Sequence, residues 1–246
     1  MRSALVYEWR RLWSVRSTWV MSLLYVVMAI ILGAVPLYLD SGAKQSWIGL
    51  YSSSGNLLCL IMLSVVAAQT FGHEYRYGLI RLTLSEFPKR ERVMIAKTVI
   101  LAFYVAIMTI VGWSVLGAVG ATKPSRMSAD VVGFSMSGSG LPHLWQVPVF
   151  GFAYCIIAMS VTVLTRNLAL GVILPLLSAT LIESLITGFA SLAKGRWDWL
   201  VHILPFNNAS AWMDQSTELH FAGLIFASWV IGFYFLATLR FHLRDA

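Results

Sequence analysis

The stretch FGHEYRYGLIRLTLSEFPKRERVMIAK, residues 71–97, is the long polar interval between two apolar runs of membrane length. Six of the chain's 18 lysine and arginine residues lie in it. A concentration of positive charge beside membrane spans is typical of the cytoplasmic side of a membrane. The stretch therefore predicts a cytoplasmic loop between the second and third spans. Its position sets the orientation of all the spans in the membrane.

Two helical segments are predicted within this loop. Four residues recur at helical spacing and indicate a short helix with a single apolar stripe. They are Phe71, Tyr75, Gly78 and Leu82. Pro88 suits the first turn of a second helix, because the N–H that proline lacks needs no partner there. We expect that second helix to run through Lys97 into the third span.

The composition of the chain is that of a membrane protein. Hydrophobic residues make up 58% of it, charged residues only 12%, and the mean hydropathy is +0.74. This leaves too little polar surface to cover a soluble globule of 246 residues. The formal charge of +7 comes from basic residues beside the apolar runs, which indicates contact with anionic lipid and not with nucleic acid. Cys59 and Cys155 fall inside apolar runs and are expected to be buried hydrophobic residues.

Six apolar runs reach the roughly 20 residues that a helix needs to cross the hydrocarbon core. They are residues 18–39, 47–70, 98–119, 144–164, 168–192 and 221–239. With both termini in the cytoplasm, this arrangement places 13 lysine and arginine residues inside and five outside. That asymmetry is expected of a correctly oriented membrane protein. The chain thus divides into residues 1–17 and an all-α transmembrane domain of six helices over residues 18–246.

Residues 1–17 are predicted to form an amphipathic helix at the membrane interface. Its apolar face comprises Leu5, Trp9, Leu12 and Trp13, and its polar face comprises Glu8, Arg10, Arg11 and Ser14. Tryptophan favours headgroup depth and arginine meets anionic lipid, so both faces suit this position.

The two long outer loops differ in character. Residues 194–214, between spans five and six, are too apolar for a solvated loop and too short to cross the membrane, and Pro205 interrupts them. We expect re-entrant or interfacial external helices here, with Trp197, Trp199 and Trp212 at headgroup depth. Residues 120–143 are rich in glycine, serine and proline, which favours a flexible connector.

Glu183 is the single carboxylate predicted to lie well inside a span. An acid at that depth costs about 3 kcal/mol to insert, so the side chain should avoid lipid. One predicted helical face holds Thr180, Glu183, Ser184, Thr187 and Ser191. Two interpretations remain open. The face lines a protein interface or an aqueous cavity, or Glu183 lies near the outer boundary, protonated or paired with Lys194 or Arg196.

Two other features of the spans are relevant to a transport path. Span two has a weaker polar face near its outer end, which contains Asn56. In span five, Pro175 with Gly171 one turn earlier predicts a kink that gives the span a pivot.

The sequence contains no Gly-x-x-x-x-Gly-Lys-Ser/Thr loop to bind the phosphates of ATP, and no histidine pair at metal-binding spacing. We therefore expect no enzymatic activity, no cofactor and no metal site in this chain. If ATP drives its function, another chain must hydrolyse it.

The loop also carries a motif. It consists of Glu74-x-x-x-Gly78, Arg81, Leu84-Ser85, Pro88 and Lys89-Arg90, with Lys97 opening the next span. This order resembles the first intracellular loop of ABC-2 type permeases, the membrane subunits of ABC exporters. Leu79 departs from the usual pattern because threonine is common there, and Lys89 stands where serine is frequent. Outside the loop, the chain resembles the family only in its pattern of spans.

The resemblance implies a subunit of an ATP-driven exporter in the bacterial plasma membrane. The loop would hold a coupling helix that rests on an ATP-binding cassette subunit, present in two copies, which binds ATP and magnesium. The permease would form a homodimer or pair with a paralogue. The residues expected to contact the ATPase are Glu74, Arg76, Gly78, Arg81, Pro88, Arg90 and Arg92. For the arginines, a solvated or headgroup-bound charge is the alternative.

In that family spans two and five line the central path. The resemblance therefore implies lining by Asn56, Thr180, Glu183, Ser184 and Thr187. An apolar path with one acidic stripe suits hydrophobic, amphipathic or cationic cargo, such as a peptide toxin, an antimicrobial peptide or a drug, moved by alternating access. Export of polysaccharide or lipid is the alternative within the family. A non-transporting membrane scaffold or sensor subunit and an intramembrane enzyme are the alternatives outside it.

Overall fold

The computed structural model describes residues 2–38, 56–86, 90–123, 145–192, 197–213 and 219–243, and these ranges contain helices but no strand. The helices are α1 (Arg2–Ser14), α2 (Arg16–Tyr38), α3 (Asn56–Arg76), α4 (Ile80–Glu86), α5 (Arg90–Ala121), α6 (Gln146–Thr165), α7 (Leu168–Leu177), α8 (Glu183–Leu192), α9 (Asp198–Val201), α10 (Pro205–Met213) and α11 (Leu219–Leu243). A π-helical turn, Ser178–Ile182, joins α7 to α8.

Within these ranges, six helical runs are long and apolar enough to cross a membrane: α2, α3, α5, α6, the continuous run from α7 to α8, and α11. The predicted all-α fold with six membrane-length helices is confirmed, and the architecture is that of a multi-pass membrane protein. The run from α7 to α8 coincides with the predicted span of residues 168–192. The predicted continuation of the third span is also confirmed, since α5 runs from Arg90 through Lys97 to Ala121.

The second span ends later than predicted. The apolar run stops at Thr70, but α3 continues through Arg76. The predicted end is wrong because Glu74 reads as a loop residue in the sequence, whereas in the structure it is buried and paired with charges from other helices. The beginning of this predicted span, residues 47–55, lies outside the described residues.

Helices α3 and α6 form the centre of the bundle. In each, 67% of the most apolar window is buried, against 22% for α2 and α11 and 17% for α7 to α8. Helix α6 packs against α3, α11 and α7, and α2 packs against α5 and α3. The side chains of Tyr25, Tyr104 and Tyr154 are almost fully enclosed between these helices. The outer helices therefore present their apolar side chains outward, as helices in contact with lipid do.

The two ends of the bundle are held by different contacts. One end, termed the basal end, comprises α1, the end of α3, α4, the start of α5, the α6–α7 turn and the end of α11. There an Arg90 Nη1 donates to the carbonyl of Phe241 over 2.7 Å. At the opposite end the Tyr38 and Thr122 hydroxyls are 3.0 Å apart, and Lys123 Nζ lies 4.0 Å from the centre of the Tyr38 ring.

Helix α3 ends in a Schellman turn around Gly78. The Gly78 N–H donates to the Tyr75 carbonyl (3.4 Å), and the Leu79 N–H donates to the Glu74 carbonyl (2.9 Å), which is the bonding pattern of that motif. Gly78 has a φ of 66°, a conformation that glycine adopts without a steric penalty. The Glu74-x-x-x-Gly78 spacing is thus the spacing of a helix end.

The predicted single helix with one apolar stripe through this region is wrong. Phe71 is completely buried within α3, whereas Leu82 is 66% exposed on α4. The two side chains do not share a face, because the turn at Gly78 separates their helices. Pro88, predicted to begin the next helix, lies outside the described residues.

Span five is irregular just after Pro175. The Glu183 N–H donates to the carbonyl of Ser178, five residues earlier, so the π turn inserts one residue into the helix. Gly171 lets α7 approach α6 closely, because a Cβ at this position would collide with Thr162 Oγ1. A pivot at this point stays a prediction.

Replacing Gly78 with alanine should lower the free energy of unfolding by about 1–2 kcal/mol, because a Cβ is strained at positive φ even though the space around it is open. Gly188 is the matched control, since it also faces open space but lies in α8. Gly188→Ala should stabilise the helix by up to about 1 kcal/mol. Thermal unfolding in detergent measures both variants, and shifts of the same sign would contradict the turn.

Candidate functional site

Four charged side chains from three helices meet at the basal end. They are Glu8 and Arg11 of α1, Glu74 of α3 and Lys97 of α5, and we term them the ionic cluster. Lys97 Nζ is 2.8 Å from Glu8 Oε1 and 2.8 Å from Glu74 Oε1. An Arg11 Nη1 binds Glu74 Oε1 and lies 3.4 Å from Glu8 Oε2. The cluster has two positive and two negative groups, so its formal charge is zero.

The ionic cluster is almost completely withdrawn from solvent. The Lys97 and Glu74 side chains are 0% and 1% exposed, and those of Glu8 and Arg11 are 8% and 19% exposed. The carbonyl of Thr70 accepts from both bases, at 3.0 Å from Lys97 Nζ and 3.2 Å from an Arg11 Nη2. Charges in such surroundings are tolerated when they are paired and hydrogen-bonded. The cluster therefore fixes how α1, α3 and α5 meet.

Helix α1 turns a different face inward from the one predicted. Its buried residues are Ala4, Glu8 and Leu12, which lie one turn apart and face α5. The prediction that Glu8 and Arg11 belong to an outward polar face is wrong, because Lys97 and Glu74 supply buried partners for them. Trp9, predicted to share the apolar face, is 37% exposed.

Helix α4 rests on the ionic cluster with one face and is exposed on the other. Its inner face carries Thr83, 3% exposed, and Ile80, 8% exposed. The Thr83 hydroxyl donates to Glu74 Oε1 over 3.4 Å. On the outer side, Leu82 is 66% exposed, and Tyr77 in the preceding turn is 64% exposed. Glu74 therefore links α4 directly to α1 and α5.

The residues predicted to contact an ATPase lie in different surroundings. Glu74 is buried and supports α4 from inside, and Gly78 forms the turn before it. Arg76, Arg81 and Arg92 are exposed.

Arg90 is half-buried and donates to the carbonyls of Phe241 (2.7 Å) and His242 (3.3 Å) at the C-terminal end of α11. A cation is favourable at a helix C-terminus. Pro88 cannot be placed, since it lies outside the described residues.

Glu183 binds the backbone of α10 and pairs with no base in the described ranges. Its Oε1 accepts from the Phe206 N–H over 3.0 Å, and its Oε2 accepts from the Asn207 N–H over 2.6 Å. These are donors of the first turn of α10, which an anion stabilises. With Glu183 only 4% exposed, the carboxylate fixes the beginning of α10. Lys194 and Arg196, its predicted alternative partners, lie outside the described residues.

The other predicted path residues do not share the surroundings of Glu183. Thr180 and Ser184 are exposed, and Thr187 is half-buried. Their hydroxyls donate to backbone carbonyls of their own helix, at 2.8, 2.7 and 2.9 Å respectively. The continuous polar stripe is interrupted because Glu183 turns inward against α10. Asn56 begins α3, and its side chain lies outside what the structure describes.

Helices α9 and α10 turn back into the bundle. Glu183 precedes Leu192, the last residue of α8, by nine residues, which corresponds to about 14 Å along a helix. Phe206 lies at this depth, with its ring centre 5.6 Å from that of Tyr154 and 6.4 Å from that of Phe226. This geometry brings α10 back against the spans, and a re-entrant position in the membrane stays a prediction. Headgroup depth for the tryptophans of this segment stays a prediction.

Comparisons with family models and with curated proteins identify no relative of this chain. No family matches the chain, and no curated protein matches it significantly.

Sequence reasoning named Glu74 but missed its partners. Glu8, Arg11 and Lys97 were read as surface or boundary charges, and Thr83 was not singled out. A signal was present, because acids and bases at the ends of apolar helices must pair if they are drawn below the surface. The spacing of Glu8 and Arg11, three residues apart, also brings both onto one helical face.

Replacing Lys97 with methionine should lower the free energy of unfolding by about 3–5 kcal/mol, because it leaves buried carboxylates without their base. Adding Glu74→Gln to that variant should restore part of the loss, with a coupling of about 1–3 kcal/mol. Arg92→Met, at an exposed base of the same helix, is the control and should change stability by less than about 0.5 kcal/mol. Thermal unfolding that showed additive losses would contradict the cluster.

Replacing Glu183 with glutamine should loosen α10 by about 1–3 kcal/mol, because an amide presents one acceptor where the carboxylate presents two. Hydrogen exchange at the amides of Phe206 and Asn207 should accelerate accordingly. Ser184→Ala, which removes an exposed hydroxyl on the same helix, is the control. Unchanged exchange at both amides in Glu183→Gln would refute the capping role.

Proposed function

We propose that the chain is the transmembrane subunit of an ABC-2 type exporter, with α4 as its coupling helix. The observation that carries this proposal is the position of α4. It is a short helix outside the membrane-length runs, exposed on one face and bonded on the other to a buried carboxylate. Together with the loop motif, this is the arrangement of an element that receives a force from a second protein.

A displacement of α4 has a defined route into the spans. Thr83 contacts Glu74, and Glu74 contacts Arg11 and Lys97. Separating one of these buried charges from its partners costs about 3–5 kcal/mol, so α1, the end of α3 and the start of α5 move together. Helix α4 acts on them through the Thr83 hydroxyl and through the turn at Gly78. ATP-driven closure of the partner subunits would in this way tilt the spans and switch a central cavity from inward- to outward-facing.

The partner that fits the outer face of α4 is an ATP-binding cassette subunit in two copies. That face combines exposed apolar side chains, Tyr77, Leu79 and Leu82, with the exposed base Arg81. An apolar centre with a charged rim is the composition of a protein contact. The basal end is then cytoplasmic, and the termini lie on the same side in a bacterial plasma membrane. The permease itself would act as a homodimer or with a paralogue.

The resemblance implies the class of cargo, and the surfaces of the spans support one part of it. Glu183 is committed to α10, so its charge gives no reason to favour cationic cargo. The outward side chains of α7 and α8 are mostly apolar, with Thr180 and Ser184 among them. This favours hydrophobic or amphipathic cargo, such as a peptide toxin, an antimicrobial peptide or a drug.

Replacing Leu82 with glutamate should abolish co-purification of a P-loop ATPase from native membranes, because the change places a charge at the centre of the proposed contact. Leu192→Glu is the matched control: Leu192 is 79% exposed at the opposite end of the bundle. It should retain the ATPase. If wild-type protein brings down no P-loop ATPase, or if both variants keep it equally, the proposal is wrong.

A further inference from the structure

Three arginines from three separate helix ends surround Tyr75 at the basal end. Arg90 lies at the start of α5, Arg166 in the turn between α6 and α7, and Arg240 in the last turn of α11. The Arg166 guanidinium is 5.7 Å from the centre of the Tyr75 ring. All three guanidiniums are close enough to act electrostatically on the Tyr75 hydroxyl. The ends of three membrane-length helices thus bring positive charge to one place.

An aromatic row connects two of these arginines, Arg166 and Arg90. The Tyr75 ring stacks on Phe71 with 6.2 Å between centres, and Phe71 meets Phe241 edge-on at 5.5 Å. The Arg90 guanidinium lies 6.0 Å from the centre of the Phe241 ring. The row therefore joins the end of α3 to the end of α11 through the Phe71–Phe241 contact.

Of the described acids near this surface, one has other partners and one is exposed. Glu74, which also acts on the Tyr75 hydroxyl, is committed to Arg11 and Lys97. Glu91 is 73% exposed and lies 3.8 Å from His242. Within the described part of the chain, the Nε of Arg240 is buried and has no hydrogen-bond partner. The described groups therefore leave one donor of the Arg240 guanidinium unused.

Arg166 has an unusual backbone. Its φ is 55°, and it is the one residue other than glycine with positive φ in the described ranges. This conformation costs about 1–2 kcal/mol for an L-residue. Asn167 follows it and caps α7, accepting from the N–H groups of Ala169 and Leu170. Glycine would make the same turn without strain. What Arg166 provides instead is a guanidinium group at this surface.

We infer that Arg90, Arg166 and Arg240 form a binding site for the phosphate of an anionic phospholipid headgroup. Guanidinium groups match phosphate oxygens in geometry as well as charge. Basic pockets between membrane helices hold acidic headgroups, and tyrosine is enriched at that depth. The ends of α5, α6 and α11 define the depth of this site. The inference does not rest on the exporter proposal, because it concerns only this chain and its lipid.

The test uses the purified full chain in nanodiscs of phosphatidylcholine, with and without phosphatidylglycerol. Native mass spectrometry counts retained phosphatidylglycerol, and thermal unfolding measures the stabilisation it gives. Arg166→Gln and Arg240→Gln should each weaken retention about fivefold, since one basic residue near the surface contributes about 1 kcal/mol. Arg92→Gln is the matched control, an exposed arginine of α5, and should retain the lipid as wild type does. Arg166→Gly should weaken retention to the same extent while folding at least as stably, because it relieves the backbone strain.

Two results would overturn the site. One is unchanged retention of phosphatidylglycerol in the Arg166 and Arg240 variants. If those variants instead lose a bound protein, the arginines bind protein and not lipid. The other is an equal loss in Arg92→Gln, which would mean diffuse attraction by net charge. A further arm adds inorganic phosphate to wild type: displacement of phosphatidylglycerol beyond that by chloride at equal ionic strength supports recognition of the phosphate group. Equal displacement by both salts would also count against it.

Discussion

A charge withdrawn from water must find a partner, and this requirement organises the basal end of the molecule. The side chains of Lys97 and Glu74 are nearly inaccessible to solvent. Every described contact of the Lys97 ammonium is with a carboxylate, a carbonyl or an aromatic face. Because those groups belong to α1 and α3, neither helix can shift against α5 without exposing an ion to an apolar environment. Elsewhere in the bundle most contacts are between apolar side chains, with hydrogen bonds such as those of Glu183 to α10 among them. The cluster therefore sets the register from which the other helices are positioned.

The part of the fold that depends on composition was predictable, and the part that depends on distant partners was not. Six membrane-length helices follow from hydrophobic runs, since insertion into lipid responds to the sum over about 20 residues. The end of α3 and the inward face of α1 depend on Lys97, a residue far away along the chain. No local pattern contains that information. Gly78 is intermediate, because its spacing from Glu74 was recognised as a motif but its meaning as a helix end required the hydrogen bonds.

Glu183 illustrates a second way of accommodating an acid inside a membrane-length helix. Its oxygens are satisfied by backbone N–H groups of a short helix that turns back into the bundle. A sequence pattern could identify the acid as one that avoids lipid, but it could not name α10 as the partner. The same carboxylate that looked like a lining group for cargo holds a structural element at a fixed depth. The resemblance implies a lining role for this residue, whereas its described contacts are with the backbone of α10.

The π turn at Ser178–Ile182 makes the length of span five unusually consequential. One additional residue in a single turn offsets every later side chain by about 100° around the helix axis. Regular winding of the same sequence would therefore turn Glu183 away from α10, whereas deletion of one residue in this turn would restore regular winding and leave Glu183 close to its present direction. Chains that differ by one residue here can thus present the same side of α8 to their neighbours.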